Sequence, residues 1–111
     1  MIEEIIIAYL NDCLSVPVRG QVPADPPASF VTVERTGAGM RNHICTSTLS
    51  VQSWAASQAQ AAALNEAVKV AMADSVQLDE ISRCHLDSDF NDTDTTRNVN
   101  RYQAIFSVVH Y

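Results

Sequence analysis

Residues 55–73, AASQAQAAALNEAVKVAMA, restrict the fold more than any other stretch of this chain. The segment is rich in alanine and holds neither Gly nor Pro, so intrinsic propensity predicts a helix. Ser57, followed three residues later by Gln60, has the pattern of a capping box at its start. Leu64, Val68, Ala71 and Met72 recur at three- and four-residue intervals and form the stripe that must be buried. The alanines let this helix approach closely to a sheet or to a neighbouring subunit.

The flanking sequence supplies the sheet. Ala28–Thr36 alternates as a strand, with Val31, Val33 and Arg35 on one face and Phe30, Thr32 and Glu34 on the other. Gly37-Ala38-Gly39 reads as a flexible turn, and a second strand follows over about Asn42–Ser53. There Cys45, Ser47, Leu49, Val51 and Ser53 share a face, as expected of an antiparallel hairpin partner. After the helix, Ile81–Ser88 and Asn100–Tyr111 read as two more strands, joined by a polar loop over Asp89–Asn98. In the last strand Tyr102, Ala104, Phe106 and Val108 lie on one side and Ile105, Val109 and Tyr111 on the other, which places it centrally or under cover on both faces.

At the other end, Ile2, Ile5, Ile6, Tyr9 and Leu10 line one face of a short helix whose first turn carries Glu3 and Glu4, and Pro17 ends it. Prolines between Pro17 and Pro27 confine that stretch to a loop with at most a short edge strand at Val18–Val22. The expected architecture is α/β of the α+β kind. It is a mainly antiparallel sheet with a short N-terminal helix and one long alanine-rich helix packed on it, a single domain over residues 1–111.

Charge narrows the function. Thirteen acidic against seven basic residues leave a net charge of -6, with no Lys/Arg run to neutralise phosphates, so neither nucleic acid nor an anionic membrane is an expected partner. No apolar run approaches the roughly 20 residues that span a bilayer. Glu3 and Glu4 stand where a basic leader would, so Cys13, Cys45 and Cys84 are expected as free thiols in a reducing compartment.

Candidate chemistry is sparse. Asp87, Asp89, Asp92 and Asp94 form an acidic cluster. An EF-hand loop beginning at Asp87 would need Gly at its sixth place and Glu at its twelfth, where this chain has Asp92 and Asn98. His43, Cys45, Cys84 and His85 would supply four zinc ligands, but Cys84 and His85 point to opposite faces of a strand. No nucleophile elbow, phosphate-cradling glycine loop or His-Glu-x-x-His helix is present, so no catalytic residue, cofactor or metal is assigned. Trp54, at the junction of strand and helix, is expected as a core anchor whose indole N–H also suits a wet interface.

The run Ala28–Met72 resembles the tail terminator (tail completion) proteins of long-tailed bacteriophages. The resemblance lies in Phe30-Val31-Thr32-Val33-Glu34-Arg35-Thr36-Gly37, in Leu49-Ser50-Val51-Gln52-Ser53-Trp54-Ala55, and in Ala59 and Leu64 of the helix. Val22-Pro23 and the late segment ending in Arg101-Tyr102 extend it over most of the chain. Ala38 interrupts the paired glycines often seen after the first strand. The resemblance implies a structural virion protein and no enzyme. Its copies would form a homo-oligomeric ring, usually hexameric, at the head-proximal end of the tail, ending the tail-tube protein's polymer and receiving the head-completion protein. It carries over Arg35, Thr36 and Gly37 at the hairpin and Trp54 at the corner. From the residues themselves, Arg35, Arg41 and Arg101 and the loop holding Asp89, Asp92 and Asp94 are the expected intersubunit contacts. Trp54, Leu64, Val68 and Phe106 are the expected core. Another connector or tube subunit, or a small metal-binding enzyme or module at Asp87–Asp94, are the alternatives.

Overall fold

A computed structural model describes residues 2–25, 27–41, 44–93 and 99–110. The elements in order are α1 (Ile2–Cys13), β1 (Val18–Arg19), β2 (Phe30–Arg41), β3 (Ile44–Ala55), α2 (Gln58–Ala73), a 3-10 turn (Asp74–Gln77), β4 (Ile81–Asn91) and β5 (Asn100–His110). The strands form one sheet in the order β1-β2-β3-β5-β4. Among the described residues, only the short β1–β2 pair is parallel; the other three pairs are antiparallel. The fold is therefore α+β with a mainly antiparallel sheet, as the hydrophobic patterning predicts.

Both helices pack on one face. Ile2, Ile6, Tyr9 and Leu10 of α1 and Val68, Ala71 and Met72 of α2 join Val31, Val33, Leu49, Val51, Ala104, Phe106 and Val108 of the sheet in a single core. The period of 3.6 on the helices and of 2 on the strands selects these residues, because that is the face the helices cover. Val68 and Phe106 are buried as expected, at 0% and 2% exposure. Leu64 packs against the core from its margin, half-buried, while Ala61 and Asn65 take the covered positions on that turn.

Local chemistry closes the elements. Ser57 is the N-cap of α2, its Oγ accepting from the Gln60 N–H at 3.2 Å, so the helix starts at Gln58 rather than at Ala55. Tyr9 joins the helices: its hydroxyl donates to the Ala71 carbonyl at 2.7 Å and accepts from Gln77 at 3.3 Å. Asn11 joins α1 to β1, its amide nitrogen donating to the Val18 carbonyl and its oxygen accepting from the Val18 N–H, at 3.1 and 3.0 Å.

Several boundaries differ from the sequence expectation, each for a backbone reason. Gly37-Ala38-Gly39 is not a turn. It continues β2, opposite Thr48, Ser47 and Thr46 of β3, after a register shift between Arg35 and Gly37. The extra residue at Thr36 is a bulge, which a flexible glycine neighbour accommodates. β3 runs on through Trp54 to Ala55, because β5 pairs with it from Cys45 to Ala55. β4 extends to Asn91, so the polar loop begins after Asn91 and not at Asp89. β5 has one face on the core; its other face, with Ile105 and Val109, is half-exposed. Asn42, His43, Asp94 to Asn98 and Tyr111 lie outside the described residues, as does the side chain of Arg41.

Candidate functional site

The far face of the sheet has no helix on it among the described residues. Reading across the strands, it presents Thr32, Gln52 and Gln103 in one row and Glu34, Ser50 and Ile105 in the next, with Thr48 and Ser107 beyond. Neighbouring side chains bond one another: Thr32 Oγ1 to Gln52 at 3.3 Å, Gln103 to Ser50 at 2.7 Å, and Ser107 to Asp87 at 2.6 Å. These cross-strand pairs satisfy polar atoms that a bare sheet face would leave to water. The result is a largely uncharged hydroxyl and amide surface in which Thr32 and Ser50 are themselves buried among their neighbours, bordered at Thr32, Glu34 and Gln52 by residues 20–22.

Trp54 belongs to this face and not to the core, which corrects its expected place. Alternation from buried Ser53 sends its side chain to the far side. There it stacks on Phe30 with centroids 5.3 Å apart and rings 9° from parallel, and Arg101 lies 4.8 Å over its ring. Its indole N–H donates to Thr32 Oγ1 at 3.2 Å. Beside it opens an apolar cleft of about 330 Å³, lined among others by Val22, Pro27, Phe30, Trp54 and Val99.

Among the described residues, the charged side chains expected at subunit contacts have partners within the chain. Arg35 approaches Glu3 of α1 at 3.9 Å. Arg101 pairs with Asp92 at 3.0 Å, and its Nε donates to the Asp92 carbonyl at 3.3 Å. Asp89 accepts from Lys69 at 2.9 Å and from buried Asn65 at 3.1 Å, tying β4 to α2. The Lys69 hydrogen bond, with lesser help from Asn65, holds the Asp89 carboxyl below the usual carboxylate range. Glu66, ahead of Asp89, raises the Lys69 ammonium. Thr36 and Gly37 are in β2, Thr36 reaching the Thr48 carbonyl at a long 3.5 Å. Asp94 lies outside the described residues.

Among the described residues, no three His, Cys, Asp or Glu side chains come together as a metal site. Asp87 and Asp89 fall apart because Asp87 bonds Ser107 on the far face while Asp89 turns to α2. The three cysteines are free, and burial pushes the Cys84 thiol up. No helix among the described residues is long and apolar enough to cross a membrane.

Two features had little sequence signal. One is the stack of Phe30 on Trp54, residues 24 positions apart that the β2–β3 register makes neighbours. The other is the open edge of β2, which β1 covers only at Val31 and Thr32. Lys69 with Glu66 was open to detection, since a three-residue spacing places them together on a helix. No protein-family model matches the chain, and no curated protein sequence matches it.

Proposed function

We propose that this chain is a structural subunit of a bacteriophage tail, of the tail-terminator kind. Its copies close into a ring, hexameric in the simplest case, at the head-proximal end of the tail. The ring stops growth of the tail tube and offers the head-completion protein its seat. No covalent step or cofactor enters this role.

The observation that carries the reading is the Ala28–Met72 run, whose resemblance to the terminator proteins spans three consecutive elements, β2, β3 and α2. The build of the molecule supports it. Helices cover one face of the sheet, while the other remains a broad Ser/Thr/Gln surface with an aromatic corner at Phe30 and Trp54. Such a chain offers contact area rather than a reaction centre. A closed ring of head-to-tail contacts satisfies each interface and leaves two unlike axial faces, one for the tube and one for the head. The net charge of -6 keeps passing DNA from adhering to the ring.

Assembly mass by light scattering, with electron microscopy of the protein alone and mixed with tail-tube protein, tests the reading. Closed rings that cap tubes and limit their length are expected. A monomer at every concentration, without effect on tube length, would refute the proposal. Open-ended tubes formed by this chain alone would make it the tube subunit instead.

A further inference from the structure

The sheet ends in two unlike edges. β1 covers β2 only at Val31 and Thr32, so among the described residues the edge from Val33 to Met40 pairs with no strand. The Val31 N–H donates to the Pro17 carbonyl on that side. Alternate residues repeat this direction, and the extra residue at Thr36 shifts the count by one. The N–H groups of Val33, Arg35, Ala38 and Met40 therefore point out of the open edge. At the other end, among the described residues, β4 pairs only with β5.

We propose that copies of this chain join by antiparallel pairing of the Val33–Met40 edge of β2 with the Ile81–Asp89 edge of β4 in a neighbouring copy, extending one sheet from copy to copy. The proposal deepens the oligomer reading above and rests on its copy-to-copy contact, but not on the presence of a tail. Two observations converge on this partner.

The first is direction. From β2 to β4 the chain reverses at each of three antiparallel pairings, so β4 runs opposite to β2. A neighbour in the same orientation thus brings β4 antiparallel to β2 without being turned over. This is a head-to-tail contact, the kind that closes rings.

The second is height. Val33 lies level with Val51, Ala104 and Asp89; Met40 lies level with Cys45, His110 and Ile81. The stretch that β1 leaves uncovered on β2 is the same stretch that Ile81–Asp89 spans on β4. Both edges are irregular, with one register shift on β2 and two on β4. Bulges keep a flat foreign strand off an edge, and they narrow the choice to a strand shaped to fit.

Cross-linking tests the contact directly. Gly39 lies level with Thr46, Val109 and Arg83, on the uncovered face. A Cβ at Gly39 meets nothing within 4 Å, and Arg83 is exposed, so neither cysteine variant disturbs the fold. G39C and R83C chains are made separately, mixed and mildly oxidised, with each variant alone and the native chain setting the background from native thiols. A mixed disulfide in excess of that background is the expected result. Cross-linking of G39C alone as efficient as in the mixture would mean that two β2 edges face each other, and would overturn the proposal.

A second variant, Ala38→Pro, removes one outward N–H and no bond to β3, a substitution that edge strands tolerate. It should keep the native circular dichroism and associate at least about tenfold more weakly. Association unchanged in a folded A38P, with no mixed disulfide, would overturn the strand pairing while leaving the ring reading in place. A native chain that is monomeric at all concentrations and gives no mixed disulfide would overturn both.

Discussion

Deleting one aromatic from each face of the same sheet separates the core from the contact surface. Phe106 is 2% exposed at the centre of the core, between β3 and β4 under α2. Phe106→Ala opens a cavity there and should cost about 3–5 kcal/mol. Trp54 is half-buried on the far face, where it loses fewer contacts on truncation. Its stack on Phe30 contributes about 0.5–1.5 kcal/mol, the overlying Arg101 about 0.5–1, and the bond to Thr32 about 1. These terms share atoms and do not add fully, so Trp54→Ala should cost about 2 kcal/mol. The assay is urea unfolding followed by far-UV circular dichroism, at concentrations below those of association. Fluorescence cannot serve both variants, since Trp54 is the sole tryptophan. A loss for Trp54→Ala equal to or above that for Phe106→Ala would refute the assignment of Trp54 to the exposed face and restore it as a core anchor.

Other substitutions probe the joints between elements. Asn11→Ala strips both side-chain bonds from Val18 and should cost about 1–3 kcal/mol, with amide exchange at Val18 rising well ahead of that at Val51 in the sheet centre. Ser57→Ala removes the cap of α2 and should cost about 1 kcal/mol by thermal or urea unfolding. The depressed Asp89 carboxyl stabilises the fold above its unfolded value of about 3.9, and that contribution is lost as pH falls through the lower folded value. The stability gap between the native chain and Asp89→Asn should therefore be widest near neutrality and close below about pH 4; a gap constant down to pH 3 would contradict the Lys69 contact.

The layer structure was legible because burial imposes periods that composition displays. Ile2, Ile6, Tyr9 and Leu10, or Leu49 and Val51, announce their faces without any knowledge of partners. Gly37 and Gly39 misled because glycine marks both turns and bulged strands, and only pairing with Thr48 and Thr46 decides between them. Trp54 misled for a different reason. Its size suggests a core residue, but strand parity from Ser53 sends it outward, and that parity becomes visible only once β3 is known to continue past Ser53. The contacts of Arg35 with Glu3 and of Lys69 with Asp89 were beyond the sequence because they join residues distant in the chain. Lys69 and Asp89 are twenty positions apart and meet only when α2 lies over β4.

Arg101 shows how such placement redirects a functional argument. As a residue free to reach a neighbour, it would contribute to association; in the fold it is engaged three ways, by the Asp92 carboxylate at 3.0 Å, the Asp92 carbonyl at 3.3 Å and the face of Trp54 at 4.8 Å. Leaving these to reach a neighbouring carboxylate would exchange one ion pair for another with little net gain, since exposed pairs contribute about 0–1 kcal/mol. Its effect should therefore fall on the fold. Arg101→Gln keeps the length and some hydrogen bonding of the side chain but removes the charge. It should lower stability by about 0.5–2 kcal/mol, the sum of an exposed ion pair and a cation–π contact, while association per folded chain stays unchanged. Light scattering of R101Q beside its urea unfolding curve distinguishes the two roles. Full stability with lost association would place Arg101 at the interface after all, and would put side-chain charge rather than the open backbone edge of β2 in control of assembly.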